Sequence, residues 1–167
     1  INDHPTELGE YLFDGEVGQD PFLEDPGTLW VLHWLLASNT ELATSIAWFF
    51  SKYHKTNFDQ NELRAALSTY LQEDVKANRR PASSTLKNDI SVIARLYAKT
   101  SGALLAEDAL DSPLSELGLI VENGKSSYTS LFSDQTDLPS EVVGFAILQL
   151  MLERESKILP VEELIHS

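Results

Sequence analysis

Asp20-Pro-Phe-Leu-Glu-Asp-Pro-Gly-Thr-Leu-Trp-Val-Leu-His-Trp-Leu-Leu36 is the segment that says most about the fold of this chain. Its two Asp-Pro steps indicate a rigid acidic turn, in which Asp25 can cap a helix and Pro26 fits the first turn. The helix that follows is apolar on almost every side, through Leu29, Trp30, Leu32, Trp34, Leu35 and Leu36. Because a helix without a polar face must be buried, this segment predicts the central helix of a hydrophobic core.

Helical spacing of apolar residues predicts further helices around this central one. One apolar stripe starts at Leu42 and ends at Tyr53, with Asn39 or Thr40 as its N-cap. A second helix starts at Asp59 and presents apolar side chains on one face. These two helices supply most of the aromatic residues in the middle of the chain.

The second half of the chain predicts two more helices and a change of period. Ser83 or Ser84 caps a helix whose apolar residues again fall on one face, and a strongly apolar helix covers residues 140–153. Between them, Asn123-Gly124 is a strong signal for a two-residue hairpin turn. The fold class is therefore mainly α, a compact multi-helix domain with one small β-hairpin.

Two architectures fit this set of elements. In a winged helix, the helix over residues 84–98 is the recognition helix and Asn123-Gly124 lies at the tip of the wing. The alternative is an α-helical bundle with an appended hairpin, because the long insert over residues 99–111 departs from the compact spacing of a winged helix.

Length and composition narrow the class of protein. The 167 residues suit a single domain over 1–167, with subdomains 1–100 and 101–167 as an alternative. The chain starts at Ile1 inside a motif, so we expect a fragment of a longer chain that lacks an N-terminal segment. The absence of cysteine excludes disulfides and thiol catalysis. No apolar run approaches the roughly 18 residues of a membrane span, and we expect a cytoplasmic protein with no membrane partner.

Charge is distributed unevenly along the chain. Residues 1–51 hold nine acids and no Lys or Arg, residues 52–99 hold nine bases against five acids, and residues 100–167 hold twelve acids against three bases. The total of −14 argues against nonspecific binding of nucleic acid, because cations supply phosphate affinity. The middle region, with a net charge of +4, is the one basic island.

This basic island is the best candidate for a DNA-binding site. It combines cations with hydroxyl groups and backbone N–H groups at a helix N-terminus, a combination that favours phosphate. The candidate DNA-binding residues are Lys76, Arg79, Arg80, Ser84, Lys87 and Arg95. The alternative is that these cations only decorate exposed helix faces.

Candidates for catalysis are weaker. Asp20, Glu24 and Asp25 could gather a divalent cation that activates water against a phosphodiester, but the same residues suit helix caps and turns without a metal. His54, beside Lys52 and Lys55, could cap a helix or touch phosphate. No zinc spacing and no known nuclease motif is present, so we predict no metal site.

Four segments together resemble a known family. Besides the opening segment they are Trp48-Phe-Phe-Ser-Lys-Tyr-His-Lys-Thr-Asn-Phe58, Ser84-Thr-Leu-Lys-Asn-Asp89 and Leu110-Asp-Ser-Pro-Leu-Ser-Glu-Leu-Gly-Leu119. They are similar to the SspB-like family of bacterial proteins associated with DNA phosphorothioation, long known only as a domain of unknown function. The resemblance covers roughly residues 6 to 120, and none of the segments is a catalytic motif by itself.

The resemblance implies a role in DNA backbone sulfur modification and phage defence, akin to restriction-modification. Partners of such proteins are a cysteine desulfurase, an adenylating enzyme and an ATPase, together with DNA. It implies that this chain engages DNA, and it allows DNA nicking somewhere in the full protein. If nicking is confirmed, we expect Mg²⁺ or Mn²⁺ as its cofactor. The alternative function is a non-catalytic helical scaffold that docks the partner proteins.

Overall fold

The computed structural model describes residues 4–73, 82–100, 112–124, 126–132 and 137–154. Its helices are α1 (Glu7–Phe13), α2 (Pro26–Ser38), α3 (Thr44–Lys52), α4 (Gln60–Glu73), α5 (Ser83–Tyr97) and α6 (Ser140–Glu153). Its strands are β1 (Asn57–Asp59), β2 (Ala98–Thr100), β3 (Ile120–Glu122) and β4 (Ser127–Ser130), and a 3-10 helix spans Pro113–Leu117. The mainly α fold class is confirmed.

The four strands form one sheet in the order β1-β4-β3-β2. Strands β3 and β4 are antiparallel and make the predicted hairpin, β1 pairs antiparallel to β4, and β2 pairs parallel to β3. Strand β3 ends at Glu122 and β4 begins at Ser127, so four residues separate the strands instead of the predicted two. One of the four, Ser126, has a positive φ of 63°. Strands β1 and β2 were not predicted, since three residues are too few to show a period of two.

The described elements from α3 to β4 have the connectivity of a winged helix. The elements run α3–β1–α4–α5–β3–β4, and the antiparallel part of the sheet has the order β1-β4-β3. Helices α4 and α5 pack against each other, and α5 also contacts β3. Of the two predicted architectures, the described residues therefore have the winged-helix arrangement, with β2 and the 3-10 helix inserted between α5 and the hairpin.

Helix α3 lies at the centre of the core. Its residues Ile46, Ala47, Trp48 and Phe49 are all buried. The Phe49 ring is fully enclosed and contacts the rings of Tyr53 on the same segment, Phe58 on β1 and Phe132 after β4, with centroids 5.5–5.8 Å apart. Such aromatic pairs add to the stability gained by apolar burial, so α3 is held from several sides at once.

The predicted start of this helix was wrong. Leu42 is 89% exposed, so it does not belong to the apolar stripe. Asn39 closes a turn instead of capping a helix, because its Oδ1 accepts hydrogen bonds from the N–H groups of Glu41 and Leu42. Helix α3 begins only at Thr44, and no side chain caps it.

Helix α4 begins as predicted, whereas the cap of α5 differs. The Oδ1 of Asp59 accepts hydrogen bonds from the N–H groups of Asn61 (2.7 Å) and Glu62 (2.9 Å). At α5 the N-cap residue is Ala82, and neither Ser83 nor Ser84 makes a capping bond. Both serines lie inside the first turn of α5, where their hydroxyl groups face solvent.

Helix α2 is less buried than its composition predicts. Only Leu29 and Trp30 are buried, and the remaining apolar residues as far as Leu36 are half-buried. Helix α6 covers one side of α2, where the Trp34 Nε1 donates a hydrogen bond of 2.9 Å to Gln149 Oε1. This cover is loose, because an apolar cavity of about 350 Å³ remains between the two helices.

His33 on α2 lies among aromatic rings beside this cavity. Its Nδ1 is 3.1 Å from the Tyr97 hydroxyl, and its ring meets those of Trp30, Phe50 and Tyr97 edge to face. Burial lowers the pKa of His33 to about 4, because the charged imidazolium is poorly solvated there. The neutral form is therefore the one that fits the folded core.

We expect this histidine to make the fold sensitive to mild acid. The folded-state pKa lies below the unfolded value, so unfolded chains bind more protons and stability falls as the pH falls from about 6.5 towards 4. Replacing His33→Gln should remove about 2 kcal/mol of the stability difference between pH 7.5 and pH 5. Urea unfolding of both proteins at the two pH values measures this difference. An unchanged pH dependence in the variant would contradict the assignment.

Candidate nucleic-acid interface

The sequence of α5 separates an apolar face from a polar one. Leu86, Ile90, Ile93 and Tyr97 recur at helical spacing and are all buried against the rest of the core. The opposite face is therefore turned to solvent. In a helix-turn-helix arrangement, the second helix is the one that enters the major groove of DNA, and α5 occupies that place.

The solvent face of α5, here called the α5 stripe, consists of Ser84, Lys87, Asn88, Ser91 and Arg95. These residues lie three, four, seven and eleven positions after Ser84, which places them on one side of an α-helix. Four of the five are exposed, and Ser91 is half-buried. At a rise of 1.5 Å per residue the stripe is about 16 Å long.

The α5 stripe contains no acidic residue. The one acid of α5, Asp89, is half-buried, and its Oδ2 accepts a hydrogen bond of 3.0 Å from the Ser45 hydroxyl on α3. Asp89 therefore ties α5 to α3 and does not add negative charge to the stripe. In a chain with a net charge of −14, an exposed helix face with two cations and no acid is a local exception.

The predicted DNA-binding residues are placed as follows. Ser84, Lys87 and Arg95 lie together on the α5 stripe. Lys76, Arg79 and Arg80 lie outside the residues that the structure describes. Asn88 and Ser91 were not predicted, although their spacing from Ser84 places them on the same face.

The hairpin that corresponds to the wing carries a polar network across the sheet. The Asn123 side chain donates to the Thr129 hydroxyl, which in turn donates to Asn57 Oδ1 on β1 (2.8 Å). Lys99 on β2 pairs with Glu116 at 3.0 Å. Among the described residues the hairpin is therefore polar, and Lys99 on the neighbouring strand β2 is already paired.

The acidic turn before α2 uses its carboxylates to hold the backbone. Asp20 is buried, and its two oxygens accept hydrogen bonds from the N–H groups of Glu24 (2.8 Å) and Asp25 (3.1 Å). Burial alone would raise the pKa of Asp20, but these bonds and one from the Thr28 hydroxyl together lower it. The turn also holds Leu23 at a positive φ of 57°, a conformation that is strained for leucine.

Asp25 caps α2, as the sequence indicated. Its Oδ1 accepts hydrogen bonds from the N–H groups of Gly27 (2.6 Å) and Thr28 (3.2 Å). A side chain at position 27 would crowd this bond, because a Cβ there would lie 2.8 Å from the same oxygen. Asp20 and Asp25 thus have clear structural roles, whereas Glu24 is exposed.

The fourth catalytic candidate, His54, is exposed just beyond the end of α3. Its neighbour Lys55 pairs with Glu62 on α4 at 2.7 Å, an exposed ion pair. Glu24 and Asp25 instead line an acidic cleft near α6, together with Glu116 and Glu141. Among the described ranges, no group of three or more His, Asp or Glu side chains is placed to hold a metal ion.

Comparison with protein families identifies the chain. A family model described as "Protein of unknown function (DUF4007)" matches residues 2–167. The chain belongs to the DUF4007 family. No curated protein matches this DUF4007 chain. In the part that the structure describes, none of its helices has the length and apolar character needed to cross a membrane.

Two solved structures resemble the DUF4007 chain over most of its length. One is the magnesium ion-bound SspB crystal structure, with a TM-score of 0.73, and the other is an SspB crystal structure with a TM-score of 0.71. Each match has 27% sequence identity, and it covers 88% of this chain but only 44% of the SspB chain. The DUF4007 chain therefore spans less than half the length of SspB.

The structural role of Asp25 in this DUF4007 chain is open to a direct test. Replacing Asp25→Ala should lower the free energy of unfolding by about 1 kcal/mol, because two N–H groups of α2 lose their acceptor. The control is Glu24→Ala, an exposed acid next to it, which should change stability by less than about 0.5 kcal/mol. Urea unfolding with Mg²⁺ and with a chelator measures both. A stabilisation by Mg²⁺ that Asp25→Ala abolishes would instead indicate a metal ligand.

Proposed function

We propose that this chain engages DNA as a component of a bacterial DNA phosphorothioation system that takes part in phage defence. The observation that carries the proposal is the α5 stripe, an acid-free polar face on the helix that a winged helix places against DNA. The likeness to SspB over 88% of the chain supports the same system. Such a protein would work in the cytoplasm with a cysteine desulfurase, an adenylating enzyme and an ATPase.

Charge complementarity supports contact with the phosphate backbone. Lys87 and Arg95 lie eight residues apart on the stripe, so they are about 12 Å apart along the helix axis. Neither side chain has an acidic partner among the described residues, in contrast to Lys55 and Lys99, which are paired. We include Lys76, Arg79 and Arg80 in the proposed DNA-binding set as further phosphate contacts, together with Ser84.

The expected outcome is a loss of DNA affinity when a cation of the stripe is reversed. Arg95→Glu should weaken binding to a labelled duplex and lower the slope of log affinity against log salt concentration by at least about 1. Arg154→Glu is the matched control, because it makes the same charge change at the end of α6. Fluorescence anisotropy at several salt concentrations measures both. Equal losses in the two variants would mean that only total charge matters.

DNA nicking with Mg²⁺ or Mn²⁺ is a second candidate function. One of the two SspB structures is magnesium ion-bound, and a divalent cation is therefore the cofactor that we propose for nicking. Glu24, Asp25 and His54 are exposed, but the Asp25 carboxylate caps α2 and buried Asp20 holds the turn, which leaves Glu24 and His54 as the catalytic candidates. If they act in nicking, Glu24→Gln or His54→Gln should stop the relaxation of supercoiled plasmid without lowering the melting temperature. Full relaxation by both variants would exclude them from catalysis.

The alternative function is a non-catalytic scaffold for the partner proteins. A specific observation favours it: α6 is strongly apolar, yet Val143, Leu148 and Leu152 are exposed. The scaffold hypothesis predicts that Leu148→Glu weakens capture of a partner protein and leaves DNA affinity unchanged. Under the DNA hypothesis, Arg95→Glu has the opposite effect, so the two variants measured in both assays separate the functions.

A further inference from the structure

We infer that the α5 stripe reads base edges in the major groove of duplex DNA, with Asn88 as the residue that specifies a base. This inference rests on the proposed function and goes beyond it, because DNA engagement through phosphate alone needs no base contact. The geometry divides the stripe into two kinds of side chain. Ser84, Asn88 and Ser91 are short, whereas Lys87 and Arg95 are long cations.

The short side chains follow the middle of the stripe. Ser84, Asn88 and Ser91 are related by steps of four and three residues, so their Cβ atoms form a continuous row, and Arg95 follows four residues later at the C-terminal end. Small residues let the backbone of a helix come close to the floor of a groove, which is about 12 Å wide in B-form DNA. The long cations can meanwhile reach the phosphates beside the groove.

Asn88 has the position and the chemistry for base readout. It is exposed in the second turn of α5, and recognition helices contact bases with their N-terminal residues. No described residue forms a hydrogen bond with its side chain, so its amide is available to a ligand. An amide offers one acceptor and two donors on adjacent atoms, which matches N6 and N7 of adenine in the major groove.

The same stripe is a poor surface for two other classes of partner. A protein partner would bury aromatic or large apolar side chains at the centre of the contact, and the α5 stripe has none. Double-stranded RNA has a major groove too deep and narrow for a helix. Duplex DNA is therefore the ligand that the shape and composition of the stripe favour.

The test is selection from a randomised duplex DNA library by the full-length protein and by Asn88→Ala. We expect the parent protein to enrich duplexes that carry an A·T pair at one position. In Asn88→Ala this enrichment should be roughly 10-fold lower. The fold should survive, because the residue is exposed and alanine favours a helix; the melting temperature checks this. The matched control is Asn61→Ala, an exposed asparagine on α4, which should keep the base preference.

Each outcome separates the inference from the proposed function. If the parent protein binds no DNA, the proposed function fails. If it binds DNA without a base preference, or if Asn88→Ala keeps the preference, the base-reading inference fails and phosphate engagement stands. The assignment to the major groove would also be overturned if a duplex RNA competitor displaced the bound DNA as effectively as a duplex DNA competitor.

Discussion

The burial of α3 on all sides is the constraint on which the other elements depend. Four consecutive residues, Ile46 to Phe49, are buried, and four consecutive residues cover a full turn of a helix. Neighbours are therefore needed all round it, and α2, α5, β1 and the segment after β4 supply them. Phe50 extends this cluster to His33 and Tyr97, so that α2 and α5 are joined through aromatic contacts and one hydrogen bond. With Tyr97 fixed inward, the α5 stripe must face outward.

The sequence predicted the faces of helices better than their ends. The spacing of Leu86, Ile90, Ile93 and Tyr97 was enough to orient α5, because a long periodic pattern reports one buried side. Helix ends depend on single hydrogen bonds that compete locally, which is why Asn39 formed a turn and Ser84 entered the helix. Strands β1 and β2 were missed, since their pairing with distant partners, rather than their own three residues, makes them strands.

The candidate site was predictable in part for the same reason. Ser84, Lys87 and Arg95 share a face by spacing alone, and Asn88 and Ser91 follow by the same rule. The acidic turn favoured helix caps and turns in sequence, but its carboxylates left a metal site open as the alternative. What decides is where the backbone N–H groups lie: those of Glu24, Asp25, Gly27 and Thr28 converge on the two aspartates. That convergence depends on three-dimensional turn geometry.

An acid-free face on a strongly acidic protein would affect how the proposed encounter with DNA proceeds in time. At low salt the Debye length exceeds about 10 Å. Two molecules of like net charge then repel each other over distances at which the local cations of α5 contribute little. Moderate salt screens this repulsion first, while the short-range contacts of the stripe persist until the salt concentration is higher. Association would then be fastest at intermediate ionic strength, and a complex would form mainly from approaches that already present α5 to the duplex. Under the proposed function, repulsion from the remaining surface would thus select the orientation in which α5 faces the duplex.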